Sequence, residues 1–508
     1  MFAKRYSPDE LIDIIAAPSY SPEIINYVKK VASEPFLSQF LSQKPKLGIT
    51  GTIAKDYVEG DTKGAVPYVS TKQVKGLHAY IDDAKYISKE ADIEWAKCRV
   101  EDGDIIINKS GNVGAAAVLC CAPYAYANSV SDIINIKLAK NSEIDRDYLV
   151  VYLNSPYGQK QLQRLSGGAI FSHVSLHAIP DIRIFHPDIK AQKYIGDKVR
   201  QAEQLRAWAK RLRASVDEKL NSLNLPINEP PQLLNRVNVQ TMEDRLDPRP
   251  YRSHYLHLVN EIEKLPHDSI SSVVGLASGC PVSSKDFLEN AGIPLVRIRN
   301  IGFDDFIGLD TGVSKDVYQD ASKYQAKEKM VVVGMDGIFR SQFFVADELP
   351  MLVNQRVAML VPQKIRGELL THWLNRPEGQ MQLNQWAVKT TVEHTSLSDI
   401  GRVLIPRLEE ILESKLADDL LNARLAYRYA KFLTQAAKTL VEALIEGQLT
   451  EQQLIQAHQA LGDGDNSLDQ AILSKLSDEG YAVEGAKPLF SDIDELYRLL
   501  ESAAEAEE

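Results

Sequence analysis

The chain has 508 residues, 44% of them hydrophobic and 25% charged, which is globular composition with apolar material for several cores. No apolar run approaches the roughly 20 residues of a membrane span, the opening MFAKRYSPDELIDII lacks a signal-peptide core, and Cys98, Cys120, Cys121 and Cys280 show no CxxC spacing, so a cytoplasmic protein with small buried or half-buried thiols and without structural zinc or disulfides is expected. The net charge of −11 is uneven: Val441–Glu508 holds 16 acidic and 3 basic residues, which is −13 and leaves +2 on the rest, so a basic groove is permitted but not demanded.

In chain order, SYSPEIINYVKKV (Ser19–Val31) comes first, then VPYVSTKQVKG (Val66–Gly76), whose alternation predicts a half-buried strand. YISKE (Tyr86–Glu90), DGDIIINKSGNVG (Asp102–Gly114), Asn128-Ser129, LNSPYGQKQL (Leu153–Leu162) and HVSL (His173–Leu176) follow. Over Lys190–Leu223, apolar or small residues recur at Ile195, Val199, Ala202, Leu205, Ala209, Leu212, Val216 and Leu220. These steps of three and four predict a long helix with one continuous stripe, stopped by Pro226. The linker LPINEPPQLLN separates the halves.

The same series then returns. PYRSHYLHLVNEI (Pro250–Ile262) resembles the first segment loosely, and IPLVRIRNIGF (Ile293–Phe303) matches the strand with Pro294 on Pro67. GVSKD (Gly312–Asp316) matches YISKE, KEKMVVVGMDGIFR (Lys327–Arg340) matches the DGDIIINKSGNVG segment with Gly337 on Gly111, and Asn354-Gln355 is read onto Asn128-Ser129. LNRPEGQMQL (Leu374–Leu383) is identical to its counterpart at seven of ten positions, and HTSL (His394–Leu397) falls on HVSL. A second stripe, Leu416, Leu420, Ala423, Ala426, Ala430, Leu433, Ala437, Leu440 and Leu444, closes at Gly447. Ordered matches of this kind mean two copies of one domain.

Neither stripe can remain in water, so the economical arrangement pairs the two helices, with the alanines permitting close approach. The expected fold class is α+β: two similar mixed α/β domains separated by two long antiparallel coiled-coil helices, pseudo-twofold, with a small helical acidic C-terminal extension. The expected boundaries are 1–189 for the first domain, 190–225 for the first helix, 226–235 for a linker, 236–408 for the second domain, 409–447 for the second helix and 448–508 for the extension. From Ile195 to Leu220 the rod spans on the order of 40 Å at about 1.5 Å per residue, comparable to one DNA turn of about 34 Å. In the extension, LTEQQLIQAHQAL, SLDQAILSKL and Asp492–Leu500 carry helical spacing, with caps expected at Thr450 and Ser467. Leu489, Phe490, Ile493 and Leu496 imply a surface to bury against.

The motifs VPYVSTKQV, GDIIINKSGNVG, LNSPYGQ with the downstream GGAIFSHVSL, and the long helix, each repeated, together with RLDPRPYRS (Arg245–Ser253), resemble the specificity subunits of type I restriction-modification enzymes. The resemblance covers roughly Ser19–Gly447. It implies a non-catalytic protein whose two target-recognition domains each read one half of an asymmetric bipartite site in double-stranded DNA. It further implies that the helices set the spacer and dock methyltransferase subunits, expected to be two, and that restriction subunits join in some assemblies. S-adenosylmethionine would then sit in the partner methyltransferase, with no cofactor in this chain. The departures are the acidic tail and the sequence KMVVVGMDG in place of the GDIII-type core, which points to a modified loop in the second domain.

For such a reader, affinity comes from Lys and Arg on phosphates and specificity from side chains on base edges. The candidates are Ser70, Lys72, Lys109, Asn112, Ser172 and His173 in the first copy. In the second they are Arg297, Arg299, Asn300, Arg340, Gln355, Lys389, Thr390 and His394. Arg297 and Arg299, corresponding to Ser70 and Lys72, would share a strand face. Each such side chain alone fits a solvated surface as readily, and the equivalent His173 and His394 fit a turn-stabilising role equally well. Asp336 is a further candidate for reading cytosine.

Catalytic signatures are missing: the only near match to a methyltransferase motif, EPPQ (Glu229–Gln232), lies in a linker, and no GxxxxGK[ST], GxSxG or HExxH occurs. GDGD (Gly462–Asp465) lacks the rest of a calcium loop, so no metal is expected. The alternatives are a non-catalytic two-domain protein-binding scaffold in phage defence and, third, an enzyme with an unfamiliar site.

Overall fold

The computed structural model of the protein describes residues 17–167, 173–232, 234–243, 245–389 and 392–507. It divides into two compact units. The first comprises the described residues up to Gln204 together with Tyr429–Ala504, and the second is built on Leu205–Arg428. Compactness thus divides the chain inside both long helices.

In the first unit, ten of the strands form two five-stranded sheets and the rest form two-stranded hairpins. One orders Tyr57–Val58, Lys85–Ile87, Val66–Val69, Tyr126–Ser129 and Arg99–Glu101; the other orders Lys46–Leu47, Ile133–Ile136, Ile105–Asn108, Ala116–Cys120 and His78–Tyr80. Val66–Val69, Ile105–Asn108 and Ile133–Ile136 are buried throughout rather than at alternate residues, because both faces of these strands are covered. The helices Arg146–Asn154 and Pro156–Arg164 start at Asp145 and Ser155, whose side chains accept from the backbone N–H of Tyr148 and Gly158.

The second unit repeats this plan. Leu288–Glu289, Thr311–Val313, Ile293–Val296 and Leu352–Val353 make one sheet; Val274–Ser278, Val357–Pro362, Val331–Gly334 and Ser341–Phe343 make the other. The helix pair returns as Gly367–Asn375 and Pro377–Trp386. Ser88 and Ser314, the serines of YISKE and GVSKD, cap equivalent short helices by accepting from Ala91 and Val317 N–H.

The long helices run Ile189–Asn221 and Glu410–Ile445. Every stripe residue of the second is buried, as is every one of the first except the half-buried Leu212. Within the second unit, Val216 and Leu220 near the end of the first helix pack with Leu416, Ala417 and Leu420 near the start of the second. End against beginning is the antiparallel sense required by the stripes.

The acidic extension packs within the first unit. Its helices are Glu451–Gly462, Ser467–Leu473 and Ile493–Glu505. Thr450 is the expected cap and makes a capping box with Gln453, but Ser467 is already helical and Asn466 occupies the cap position without a side-chain bond. Leu489, Phe490 and Leu496 are buried, with Phe490 against Tyr429 and Phe432 of the second long helix. At the centre lies a buried polar knot, where Lys198 Nζ (2.6 Å), Tyr194 Oη (2.5 Å) and Tyr497 Oη (2.5 Å) all donate to the Asp469 carboxylate. Burial would push this carboxyl up, but Lys198 and the hydrogen bonds hold it below the usual carboxylate range.

Among the described residues, no helix is long and apolar enough to cross a membrane and no group of His, Cys, Asp or Glu is placed to hold a metal ion.

Candidate functional site

Within LNSPYGQKQL and LNRPEGQMQL, the shared Asn and Gln side chains are latches on backbone. Asn154 Nδ2 donates to Ala116 O (2.7 Å) and its Oδ1 accepts from Ala116 N (3.3 Å); Asn375 does the same with Ser341 at 2.9 Å in both directions. Gln159 Nε2 donates to Gly114 O and Leu153 O, and Gln380 Nε2 to Phe339 O and Leu374 O. Gln161 exchanges two bonds with the backbone of Arg183, as Gln382 does with Leu404. A Cβ on Gly158 would lie 2.4 Å from Tyr152 O, and one on Gly379 2.2 Å from Trp373 O, so nothing larger than glycine fits. The motif LNxPxGQxQ is therefore scaffold, and readers of a target must lie elsewhere.

What the scaffold supports is a convergence of strand ends. In the first domain, Val130 N donates to Val69 O (2.9 Å), Lys109 N to Asp132 O (2.8 Å) and Val174 N to Lys109 O (3.2 Å). In the second, Asn354 N donates to Val296 O (3.0 Å), Met335 N to Arg356 O (3.1 Å) and Thr395 N to Met335 O (2.9 Å). These three bonds are equivalent one by one. They gather the loop after the Pro-containing strand, the turn at Gly111 or Gly337, and the hairpin bearing His173 or His394. The hairpins pair Ser166–Gly167 with His173–Val174 and Val388–Lys389 with Glu393–His394. Gly111 and Gly337 both take positive φ, 72° and 75°, a turn conformation that favours glycine. The loop between these strands, closed by Asn108 N to Ala115 O and by Gly334 N to Arg340 O, is one residue shorter in the second copy, which is the modified loop anticipated there.

The first-copy candidates fall on this convergence. Ser70 is tied down locally, its N–H and hydroxyl both donating to Gln73 Oε1 (2.9 and 2.8 Å). Lys72 is exposed, and neither it nor the half-buried Lys109 forms a side-chain hydrogen bond or ion pair among the described residues. Asn108 Nδ2 reaches Thr71 O at 3.5 Å and so links the 70–73 loop to Lys109. Asn112 is exposed at the turn and His173 at the hairpin. Ser172 lies outside the described residues.

In the second copy, three expectations change. The strand ends at Val296 and Ile298–Asn300 is a 3-10 turn, so Arg297 and Arg299 do not share a strand face. Arg299 is paired with Asp310 and with Thr311 Oγ1 (3.1 Å). Asn300 is 1% exposed and spends its amide on its own loop, accepting from Arg297 N (2.9 Å) and donating to Ile307 O and Gly308 O (2.9 and 2.6 Å), so it offers no edge to a ligand. It is the counterpart of Gln73, and both amides clasp the end of the same strand.

The remaining candidates divide. Arg297 lies with its guanidinium 5.4 Å from the Phe287 ring, and Arg340 lies 5.0 Å from the Phe303 ring. Gln355 is exposed, held only by backbone to Cys280 and Ser278. His394 Nδ1 lies 2.6 Å from Asp336 Oδ1, and Arg356 Nη1 lies 3.5 Å from Asp336 Oδ2. His394 thus has a turn-stabilising bond, which His173 does not make among the described residues, and Asp336 is engaged by both neighbours. Arg249, from the RLDPRPYRS segment, braces the hairpin through Glu393 at 2.9 Å. The backbone of Lys389 pairs with Glu393; its side chain and Thr390 lie outside the described residues.

Each unit anchors its domain to helix differently. In the first, His78 Nε2 (2.8 Å) and Arg200 Nη1 (2.7 Å) bind the two oxygens of buried Asp147, and Tyr80 donates to Glu203 (2.7 Å). Burial alone would lower the His78 imidazole, but the bond to Asp147, with Cys120 and Glu203 nearby, carries it up to about 9. In the second, buried Arg424 donates to Asp305 (2.8 Å) and Glu348 (2.6 Å), and Arg428 to Asp347 (2.7 Å) and Glu348 (3.0 Å). Burial pushes the Glu348 carboxyl up to about 7 against the pull of both arginines.

Sequence reasoning missed Asp132 and Arg356, and the cause is a register error. Parallel pairing sets Val69 opposite Ser129 and Val296 opposite Val353, so Ser129 corresponds to Val353 rather than to Gln355. A usable signal was present in Gly48-Ile49 and Gly279-Cys280. A Cβ on Gly48 would lie 2.2 Å from Ser129 O and Val130 O, one on Gly279 2.6 Å from Val353 O and 2.3 Å from Asn354 O, and Ile49 and Cys280 make equivalent bridges to Val130 and Asn354.

Residues 49–217 match the family described as the type I restriction modification DNA specificity domain. Over 194 residues the chain is 24% identical to the EcoBI specificity subunit, a type I restriction enzyme component of Escherichia coli. That stretch is 36% of this chain and 39% of the relative, so the match spans about two fifths of the length of that protein. Among solved structures, an S subunit of a type I restriction-modification system from M. genitalium is 12% identical, with 84% of this chain and 95% of that one covered and a TM-score of 0.44. An HsdS subunit from Thermoanaerobacter tengcongensis is 13% identical, with 80% and 98% covered and a TM-score of 0.26.

Proposed function

We propose, from the match of residues 49–217 to the type I restriction modification DNA specificity domain, that this chain is the sequence-reading subunit of a type I restriction-modification complex. Each domain reads one half of an asymmetric bipartite site in double-stranded DNA, and the paired helices set the unread spacer. The observation that carries this reading is the pair of strand-end convergences: three equivalent backbone bonds hold the same loops in both units, while the side chains projecting from them differ. A shared frame with divergent contacts is what two half-sites of different sequence require.

In this reading, Lys72, Lys109, Asn112 and His173 contact DNA in the first domain, and Arg297, Arg340, Gln355 and His394 in the second. The chain itself is non-catalytic and works in the cytoplasm. Two methyltransferase subunits dock on it, hold S-adenosylmethionine and perform the transfer; restriction subunits join to make the nuclease.

The test is a base-resolved map of adenine methylation in the source organism with and without this gene. Loss of methylation at one bipartite motif is the expected result. An unchanged methylome in a strain that expresses the gene would refute it.

A further inference from the structure

We propose that Asp132 and Arg356 occupy one scaffold position in the two domains and give the half-sites opposite base preferences there. Asp132 selects a base presenting an amino donor, and Arg356 selects guanine. The inference rests on the DNA-reading function above.

Equivalence is fixed from both sides. Val130 N bonds to Val69 O and Asn354 N to Val296 O; two residues later, Asp132 O accepts from Lys109 N and Arg356 O from Met335 N. The residue that makes the second bond is itself tied to the His-bearing hairpin in both domains, through Val174 N and Thr395 N. Backbone placement is thus the same while the side chain reverses charge.

Both side chains are available. Asp132 is half-buried and its carboxylate makes no hydrogen bond or ion pair among the described residues. The Arg356 side chain is 60% exposed and meets Asp336 at 3.5 Å. Asp336 is held from its other oxygen by His394, so the guanidinium is steered by one carboxylate without being consumed by it.

Charge reversal decides what this position faces. Two domains with one scaffold dock on DNA in one way, so the position meets the same part of the duplex in each half-site. A carboxylate against phosphates would be repelled, whereas base edges in the major groove present amino donors on cytosine and adenine. A position that accepts Asp132 therefore looks at base edges. There Arg356 finds its best match in the O6 and N7 acceptors of guanine.

The experiment replaces the chromosomal gene by Arg356→Gln, Arg356→Asp and Asp132→Asn alleles, beside a deletion, and reads the methylated motif in each strain. Arg356→Gln and Arg356→Asp are expected to change or relax one base pair of one half-site, with discrimination falling roughly tenfold to a hundredfold. Asp132→Asn should do so in the other half-site only. An intact motif methylated uniformly less would overturn the inference, because that is the behaviour of a backbone contact. If a variant methylates nothing, duplexes permuted at each base pair of the wild-type motif are offered to the purified complex. Rescue by one substituted base pair supports the assignment, and no rescue overturns it. Failure of the function itself is separate, since only that failure leaves the deletion strain's methylome unchanged.

Discussion

Replacing Asn375 tests whether the repeated motif is scaffold. Asn375 lies at the end of its helix and holds both backbone groups of Ser341, a residue with no exposure, at 2.9 Å each. Alanine would remove two hydrogen bonds and leave a buried N–H and C=O without partners, each costing about 1–3 kcal/mol. The sum is about 2–6 kcal/mol, a large share of a typical domain's stability of about 5–15 kcal/mol. Asn375→Asp keeps the size and the acceptor for Ser341 N–H but sets a carboxylate against Ser341 O, so it should cost a comparable amount; that comparison separates hydrogen bonding from packing. The readouts are native-state exchange of the Ser341 amide and urea unfolding followed through Trp373, two residues away and 1% exposed. Exchange and midpoint within about 0.5 kcal/mol of wild type for both variants would refute the latch. Asn154, bonded to Ala116 in the same way, should behave alike in the first domain.

Three further outcomes are expected. His78 is raised to about 9 from an ordinary 6.5; with the folded value above the unfolded one, its contribution of about 3 kcal/mol is complete below pH 6.5 and is lost as pH climbs through 9. A His78→Gln variant should flatten unfolding free energy over that window, and an unchanged slope would contradict the assignment. Asp469→Ala should destabilise the first unit by about 3–5 kcal/mol by stranding buried Lys198, while Asp469→Leu with Lys198→Met, Tyr194→Phe and Tyr497→Phe should recover most of it; limited proteolysis of the C-terminal extension and thermal unfolding report both. Lys72→Ala should weaken binding to the cognate duplex evenly across sequences and reduce the salt slope by about 0.9, as titrations of anisotropy at several salt concentrations would measure; an unchanged slope would remove Lys72 from the phosphate contacts.

The two-copy plan was legible because its carriers tolerate no drift. Asn154 and Asn375, Gln159 and Gln380, Gly158 and Gly379 each bond backbone or leave no room for a Cβ, so they stayed identical while their neighbours changed. The stripes of the long helices were legible for a different reason: burial at 3.6-residue spacing is local information. Local information fails where the chain turns. Alternation carried the strand reading through Arg297 and Arg299, yet Asn300 caps the chain into a 3-10 turn after Val296 by bonding to atoms that are neighbours only once the loop has closed. The Asn128-Ser129 register slipped for the same reason, since loop lengths differ between the copies and only strand pairing sets Ser129 against Val353. By itself, then, the sequence determined the repeat, the latches and the helix stripes, all of which depend on spacing along the chain. Tertiary structure decided which loops meet at the strand ends, which candidate side chains are already spent, and that Asp132 stands where Arg356 stands. Those facts depend on distances across the fold, where a single residue of loop length changes every partner.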